Sequence, residues 1–185
     1  MNKKIIAAAI FAIAASINAQ AQIYAGATVG VSSYNVDCSG LTECKTKGTA
    51  FKVLAGYQVT PLFGLEASYS DLGHASAKER DVTFKGGATG VDFAAVLRMQ
   101  LNQDFGLFSR LGVAKIESTE SATFNTLSFT RKYSSTQPVF GIGATYQINK
   151  TLRVRTEIEA RRAKVAENSD NLKGTSYSIG LENAF

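Results

Sequence analysis

The chain has 185 residues, one histidine, two cysteines and a formal net charge of +5. One histidine and two cysteines fall short of the ligand set that a structural zinc site takes. The positive balance is mild and no basic run is interleaved with aromatics, so nothing argues for nucleic-acid binding.

Residues 1–21 open on Met-Asn-Lys-Lys, run through "IIAAAIFAIAASI" and end on Ala19-Gln20-Ala21. A basic start, an apolar stretch and a small-residue cleavage signature predict a secretory signal peptide cut after Ala21. The apolar run of thirteen residues is shorter than the roughly twenty that a membrane-spanning helix needs. The expected mature domain is then 22–185, and losing Lys3 and Lys4 lowers its charge from +5 by two, to +3.

Eight segments of alternating polarity follow, at approximately 23–33, 50–59, 63–73, 89–101, 105–116, 137–148, 151–162 and 175–185. Three connections are short and rich in turn formers: Thr60-Pro61-Leu62, Asn102-Gln103-Asp104 and Asn149-Lys150. Between them stand four long polar stretches, 34–49, 74–88, 117–136 and 163–174. Short and long connections therefore alternate. Short periplasmic turns and longer external loops are the pattern of an up-and-down barrel in a membrane. Tilted strands of about 9–11 residues cross a bilayer, and closing the sheet leaves no unpaired edge in the hydrocarbon.

The segment "TLRVRTEIEARR" fixes which face meets lipid. Leu152, Val154, Ile158 and Ala160 share one parity; Arg153, Arg155, Glu157, Glu159 and Arg161 share the other. On a helix the apolar set forms no stripe, whereas at period two it lies on one side of a strand. In the other segments the polar parity is rich in glycine, including Gly26, Gly30, Gly56, Gly112, Gly141 and Gly143. Glycine is a poor choice for a solvent-facing strand position. In a narrow lumen it makes room for neighbouring Arg and Glu, since the interior of an eight-stranded barrel is just filled by side chains. The charged parity is therefore expected to point inward. The fold class is an all-β, eight-stranded antiparallel up-and-down transmembrane β-barrel.

The stretches "IYAGATVGVSSY", "LAGYQVTPLFGLEASYSDLG" and "FGLFSRLGVAKI" carry a resemblance to a known family. The chain resembles the small outer-membrane β-barrel proteins of the type seen in the transmembrane domain of outer membrane protein A and in the opacity and adhesin-like porins. The resemblance spans Ile23 to Phe185 and implies the bacterial outer membrane. It implies a structural and surface role: envelope integrity, with adhesion or immune evasion through external loops. The closing Phe185 resembles the signal read by the barrel assembly machinery. No peptidoglycan-binding domain is expected after Phe185.

Several candidate sites follow. An ion-pair network inside the barrel is expected from Glu66, Asp92, Arg98, Arg110, Arg153, Arg155, Glu157, Glu159 and Glu182. Counted from the turns, Glu66, Arg98, Arg110, Arg155 and Glu157 lie at similar heights, with Arg153 and Glu182 lower. The alternative reading of these charges is a narrow ion-conducting pore. Cys38 and Cys44 bracket a short external loop and are expected to form a disulfide, because exported proteins meet an oxidising compartment. His74, with Ser76 and Glu79 or Asp81, is the one set that a lipid-A-modifying hydrolase could use; a solvated loop histidine is the simpler reading. Lys78, Arg80, Arg131 and Lys132 place cations outside, facing the phosphates of lipopolysaccharide. The stretch "SATFNTLSFTRKY" suits an extended hairpin above the membrane, although Phe124, Leu127 and Phe129 do not hold one parity. Its strand edge is a candidate for host proteins; the alternative reading is a mobile polar loop. Aromatics near segment ends, Phe63, Tyr69, Phe105 and Tyr146, fit interfacial girdles. No cofactor, metal or catalytic residue is expected, and the barrel is read as a monomer.

Overall fold

A computed structural model describes residues 22–34, 43–79, 82–124, 127–163 and 172–185. The strands are β1 (Gln22–Tyr34), β2 (Glu43–Lys45), β3 (Lys47–Gln58), β4 (Phe63–Glu79), β5 (Val82–Gln100), β6 (Phe105–Phe124), β7 (Leu127–Gln147), β8 (Leu152–Ala163) and β9 (Leu172–Ala184). Eight of them form one closed antiparallel ring in the order β4-β3-β1-β9-β8-β7-β6-β5, with β5 pairing back onto β4. The ninth, β2, is a three-residue strand paired with the upper part of β4, Cys44 opposite Ala77.

The three short connections share one build. In each, the residue after the strand donates its N–H to the carbonyl that starts the next strand: Val59 to Phe63, Leu101 to Phe105 and Ile148 to Leu152, each at 2.9 Å. A turn residue then caps the returning backbone. Thr60 Oγ1 accepts from Phe63 N at 2.9 Å, Asn102 Oδ1 from Phe105 N at 2.8 Å, and Asn149 Oδ1 from Leu152 N at 2.9 Å. Thr and Asn do this because a short side-chain oxygen mimics a backbone acceptor. Gln58, Gln100 and Gln147 end their strands identically, each donating its amide to the carbonyl two residues on. Adjacent hairpins are also tied: Arg98 N donates to Leu62 O, Gln147 N to Asp104 O and Ala184 N to Thr151 O, all at 2.8 Å.

Polarity is inverted in the lower barrel. Val29, Val53, Leu65, Phe93, Leu111, Ile142, Ile158 and Ile179 face outward and are exposed, while Thr28, Lys52, Glu66, Asp92, Arg110 and Glu157 are buried in the lumen. Small inward residues on β1, β3 and β4 (Gly26, Thr28, Ala50, Ser68, Ser70) sit among larger ones such as Lys52 and Glu66, so small positions make room for long side chains.

The inversion ends at one level. Tyr69 pairs with Val91, Val91 with Lys115 and Lys115 with Thr136. Above that rung the outward positions turn polar, with Glu117, Thr130, Lys132 and Ser134 exposed, while Leu72, Ala88 and Ile116 are buried on the inner side. The hydrocarbon boundary therefore lies near the Tyr69–Thr136 rung, since only below it does an exposed apolar face have lipid to meet.

The stretch 74–88, expected as a loop, is largely strand, and the third long stretch forms the extended hairpin that its residues suit. β4 and β5 continue through 74–79 and 82–88, and β6 and β7 through 117–124 and 127–136. The period-two apolar pattern that marks a strand is imposed by lipid, so it stops at the membrane surface while backbone pairing continues in water. A bulge between Asp71 and His74 marks the crossing on β4. Gly73 there takes φ +74°, a value that favours glycine. The extra residue shifts the alternation, so Leu72 is buried and His74 is exposed.

Candidate functional site

The lumen holds an ion-pair lattice in three tiers. Lowest, Glu182 on β9 takes a bidentate contact from Arg98 on β5 at 2.8 and 3.0 Å, and meets Arg155 at 3.1 Å and Arg153 at 3.5 Å. In the middle, Arg155 on β8 reaches Glu66 on β4 at 2.7 Å and Glu157 at 3.3 Å. Arg110 on β6 approaches Glu66 at 3.2 Å and Glu157 at 3.6 Å, and Lys52 on β3 binds Glu157 at 2.7 Å. Uppermost, Arg110 pairs with both Asp92 and Glu159, and Arg161 pairs with Glu159. Lys52 reaches Glu159 at 3.2 Å, and Arg161 holds Asp92 at 2.9 Å and the Ser70 hydroxyl at 3.1 Å.

Each buried carboxylate thus meets at least two cations. This matters because a buried charge costs several kcal/mol of desolvation, on the order of what good geometry and several partners can offset. β4 and β8 stand on opposite sides of the ring, so the Glu66–Arg155 contact crosses the lumen. Two aromatics line the lattice. The Arg155 guanidinium lies 4.2 Å from the Phe108 ring centre and that of Arg98 lies 4.4 Å from Tyr24. Tyr24 also donates its hydroxyl to Glu66 at 3.2 Å.

All nine residues expected in the network take part. One height differs: Arg98 belongs to the lower tier with Glu182, not beside Glu66, because strand tilt displaces levels counted from the turns. Lys52 and Arg161 belong to the lattice too, although the expected set omitted them. Both sit on the inward parity of their strands, and that parity was the signal that could have found them.

An apolar layer caps the lattice. Above it, Leu72, Ala88, Ala114, Ile116 and Val139 pack together with Tyr34, whose hydroxyl donates to Leu72 O at 2.7 Å. Beside its lower tiers, Tyr24, Leu54 and Ala184 form a smaller cluster.

The remaining candidates are placed as follows. Cys44 lies on β2, and Cys38 lies outside the described residues. His74 is a strand residue opposite Gly87, not a loop residue, and Ser76 follows on β4 opposite Lys85. Asp81 and Arg80 lie outside the described residues. Lys78 pairs through its backbone with Thr83. Arg131 stands opposite Glu120 and Lys132 opposite Thr119. Burial pushes the Glu120 carboxyl up, and the Arg131 charge partly draws it back. Phe124 pairs with Leu127 and Ala122 with Phe129. Even positions on β6 therefore match odd positions on β7. Phe105 and Tyr146 are exposed neighbours with ring centres 4.8 Å apart at the periplasmic rim. Phe185 is exposed and donates its N–H to Ile23 O at 2.9 Å.

A barrel with a greasy exterior and a charged, filled lumen is a membrane protein. Residues 18–177 match the family of the OmpA-like transmembrane domain. The chain belongs to this family. Outer membrane protein A of Shigella flexneri is 28% identical over 141 residues, which is 74% of this chain and 40% of that protein. The chain thus spans less than half the length of that curated relative. Among solved structures, Neisserial surface protein A superposes with a TM-score of 0.61 at 13% identity, covering 89% of this chain and 97% of that one. The attachment invasion locus protein Ail of Yersinia pestis gives 0.57 at 14% identity, covering 91% and 100%. This OmpA-like chain is a β-barrel of the bacterial outer membrane and a surface or structural protein of that membrane.

Proposed function

We propose that the barrel is a closed structural element of the envelope and that its extracellular sheet works as a surface for interaction. The observation that carries this reading is the lattice: every buried carboxylate is bridged, and an apolar layer lies above it. A polar pore needs a continuous wet path, and that stacking opposes one. The name of the structural neighbour, attachment invasion locus protein, supports adhesion as the kind of surface work. Lipopolysaccharide phosphates are proposed partners of exposed Lys115, on the boundary rung, and of exposed Lys132 above it. Phe185 is proposed as the assembly signal, 1–21 as the signal peptide, and Cys38–Cys44 as a bridge that stiffens the first external loop.

Planar-bilayer recording on the purified barrel tests the closed lumen. Silence is the expected result; steady unitary conductance would favour the narrow-pore reading instead. Incubation with lipid A tests the hydrolase reading, and released acyl chains would revive it. Mass spectrometry of the exported chain is expected to find Gln22 first, and a thiol assay is expected to find no reactive cysteine.

A further inference from the structure

The lipid-facing wall is grooved on one side. Leu97, Ser109, Ile142, Ile158 and Tyr177 stand opposite one another along one outward rung, and Met99, Leu107, Ala144 and Thr156 along the next one below. The long apolar side chains of both rungs are exposed, as on the rest of the lipid face. Between them, over Ser109, Ala144 and Thr156, lies a cavity of about 770 Å³. That volume falls within the roughly 300–1,000 Å³ of small-molecule sites. Inward residues also reach its lining, but each stands between two outward ones on its own strand: Arg98 between Leu97 and Met99, Phe108 between Leu107 and Ser109, Glu157 between Thr156 and Ile158. They contribute backbone, so the cavity opens on the outer wall and not into the lumen. The Thr156 hydroxyl turns to Ala144 O at 3.4 Å, which satisfies it within the wall.

The groove has a direction. Its upper rung begins at Phe63, beside a periplasmic turn, and continues past Tyr177 through Val31 to Thr49, near the extracellular end of β3. Rungs climb in this way because tilted strands stagger the register. Leu62 lines the low end of the groove and Tyr177 the high end. From β5 to β9 there are four strand spacings of about 4.8 Å, or roughly 19 Å of path. One leaflet is about 15 Å of the roughly 30 Å hydrocarbon core. An oblique path of this length is the reach of one acyl chain.

We infer that the groove holds one acyl chain of an inner-leaflet phospholipid, entering at Leu62 and lying extended toward Tyr177. The groove is continuous with the surface that already meets hydrocarbon, and its low end opens where the inner leaflet's head groups lie. Bulk lipid is as apolar as this wall, so the preference comes from dispersion contact with a floor and two sides, which a flat face does not offer. A path along one rung is straight and favours a saturated chain, because a cis double bond bends the chain out of line. A second barrel is a poorer occupant. Twofold symmetry sets the same patch on both copies, so groove would face groove and leave a void.

The test folds the full chain in detergent micelles doped with dipalmitoyl or dioleoyl phosphatidylethanolamine and reads bound lipid by native mass spectrometry. One dipalmitoyl lipid per barrel is expected to stay bound. The dioleoyl lipid is expected to be retained about threefold less, the scale of some five lost carbon–carbon contacts. Ala144→Phe fills the floor and is expected to lower retention about tenfold, the scale of some ten such contacts. Ala27→Phe adds the same ring to the lipid face of β1, outside the groove, and is expected to leave retention unchanged. Ser109→Phe repeats the test from another strand should heat-modifiable migration show that Ala144→Phe does not fold. A barrel that retains no lipid, equal retention in the groove-filling and Ala27→Phe variants, or a lipid-free dimer overturns the inference. Equal retention of the two lipids overturns the extended path along the rung.

Discussion

Arg155 has no exposed surface and joins carboxylates from β4, β8 and β9 through its contacts with Glu66, Glu157 and Glu182. Removing it leaves buried anions short of a partner, which typically costs about 3–5 kcal/mol. Arg155→Ala, Glu66→Ala and Arg98→Ala are each expected to lower the unfolding temperature in detergent. Combining Arg155→Ala with Glu66→Ala should cost less than the sum, because the second change removes a charge already orphaned by the first. Three unchanged melting curves would mean that the lattice does not hold the barrel. Gly56 answers a different constraint. A Cβ there would stand 2.5 Å from Cε1 of Tyr24, so Gly56→Ala must displace the ring that sits under Arg98 and hydrogen-bonds Glu66.

At the scale of elements, the turns carry more bonding than their brevity suggests. Asn149 Oδ1 accepts from Thr151 N at 3.0 Å and Leu152 N at 2.9 Å. Asn149→Ala is expected to cost about 1–2 kcal/mol by leaving those donors to water, measured by urea unfolding in lipid vesicles; an unaltered midpoint would show that the backbone bonds suffice alone. The extracellular extensions should behave in the opposite way. Replacing 117–136 by a short turn removes pairing that lies above the Tyr69–Thr136 rung, so heat-modifiable gel migration should be unchanged. A barrel that no longer folds after this trimming would show that the extension is needed for closure.

Over the whole molecule, two polarity patterns meet at one height. Below the Tyr69–Thr136 rung the outside is apolar because lipid surrounds it, and the inside is charged because the lattice fills it. Above that rung water surrounds the sheet, and apolar residues turn inward over the lattice. The expected consequence is a barrel that requires detergent or bilayer to remain dispersed. A monodisperse monomer in plain buffer would contradict the inverted polarity itself.

The barrel and its orientation toward lipid were legible in the chain alone. Lipid writes a period of two into every spanning segment, as in Leu152 to Arg162, and the short turns write Thr and Asn where a backbone needs a cap. The inward charges were legible too, since parity places Glu66, Arg110 and Glu157 on one face. What the tertiary structure alone decided is which charges meet. Pairing across the lumen joins residues some ninety positions apart, such as Glu66 and Arg155 (separation 89), and depends on strand tilt that no local pattern encodes; hence the shifted height of Arg98. The same holds for the strands above the membrane. Water imposes no alternation on them, so the extent of β4 and β5 and the apolar layer over the lattice follow from backbone pairing, which leaves little trace in the identity of side chains; only the β6–β7 hairpin was marked, by its Thr, Ser and Phe.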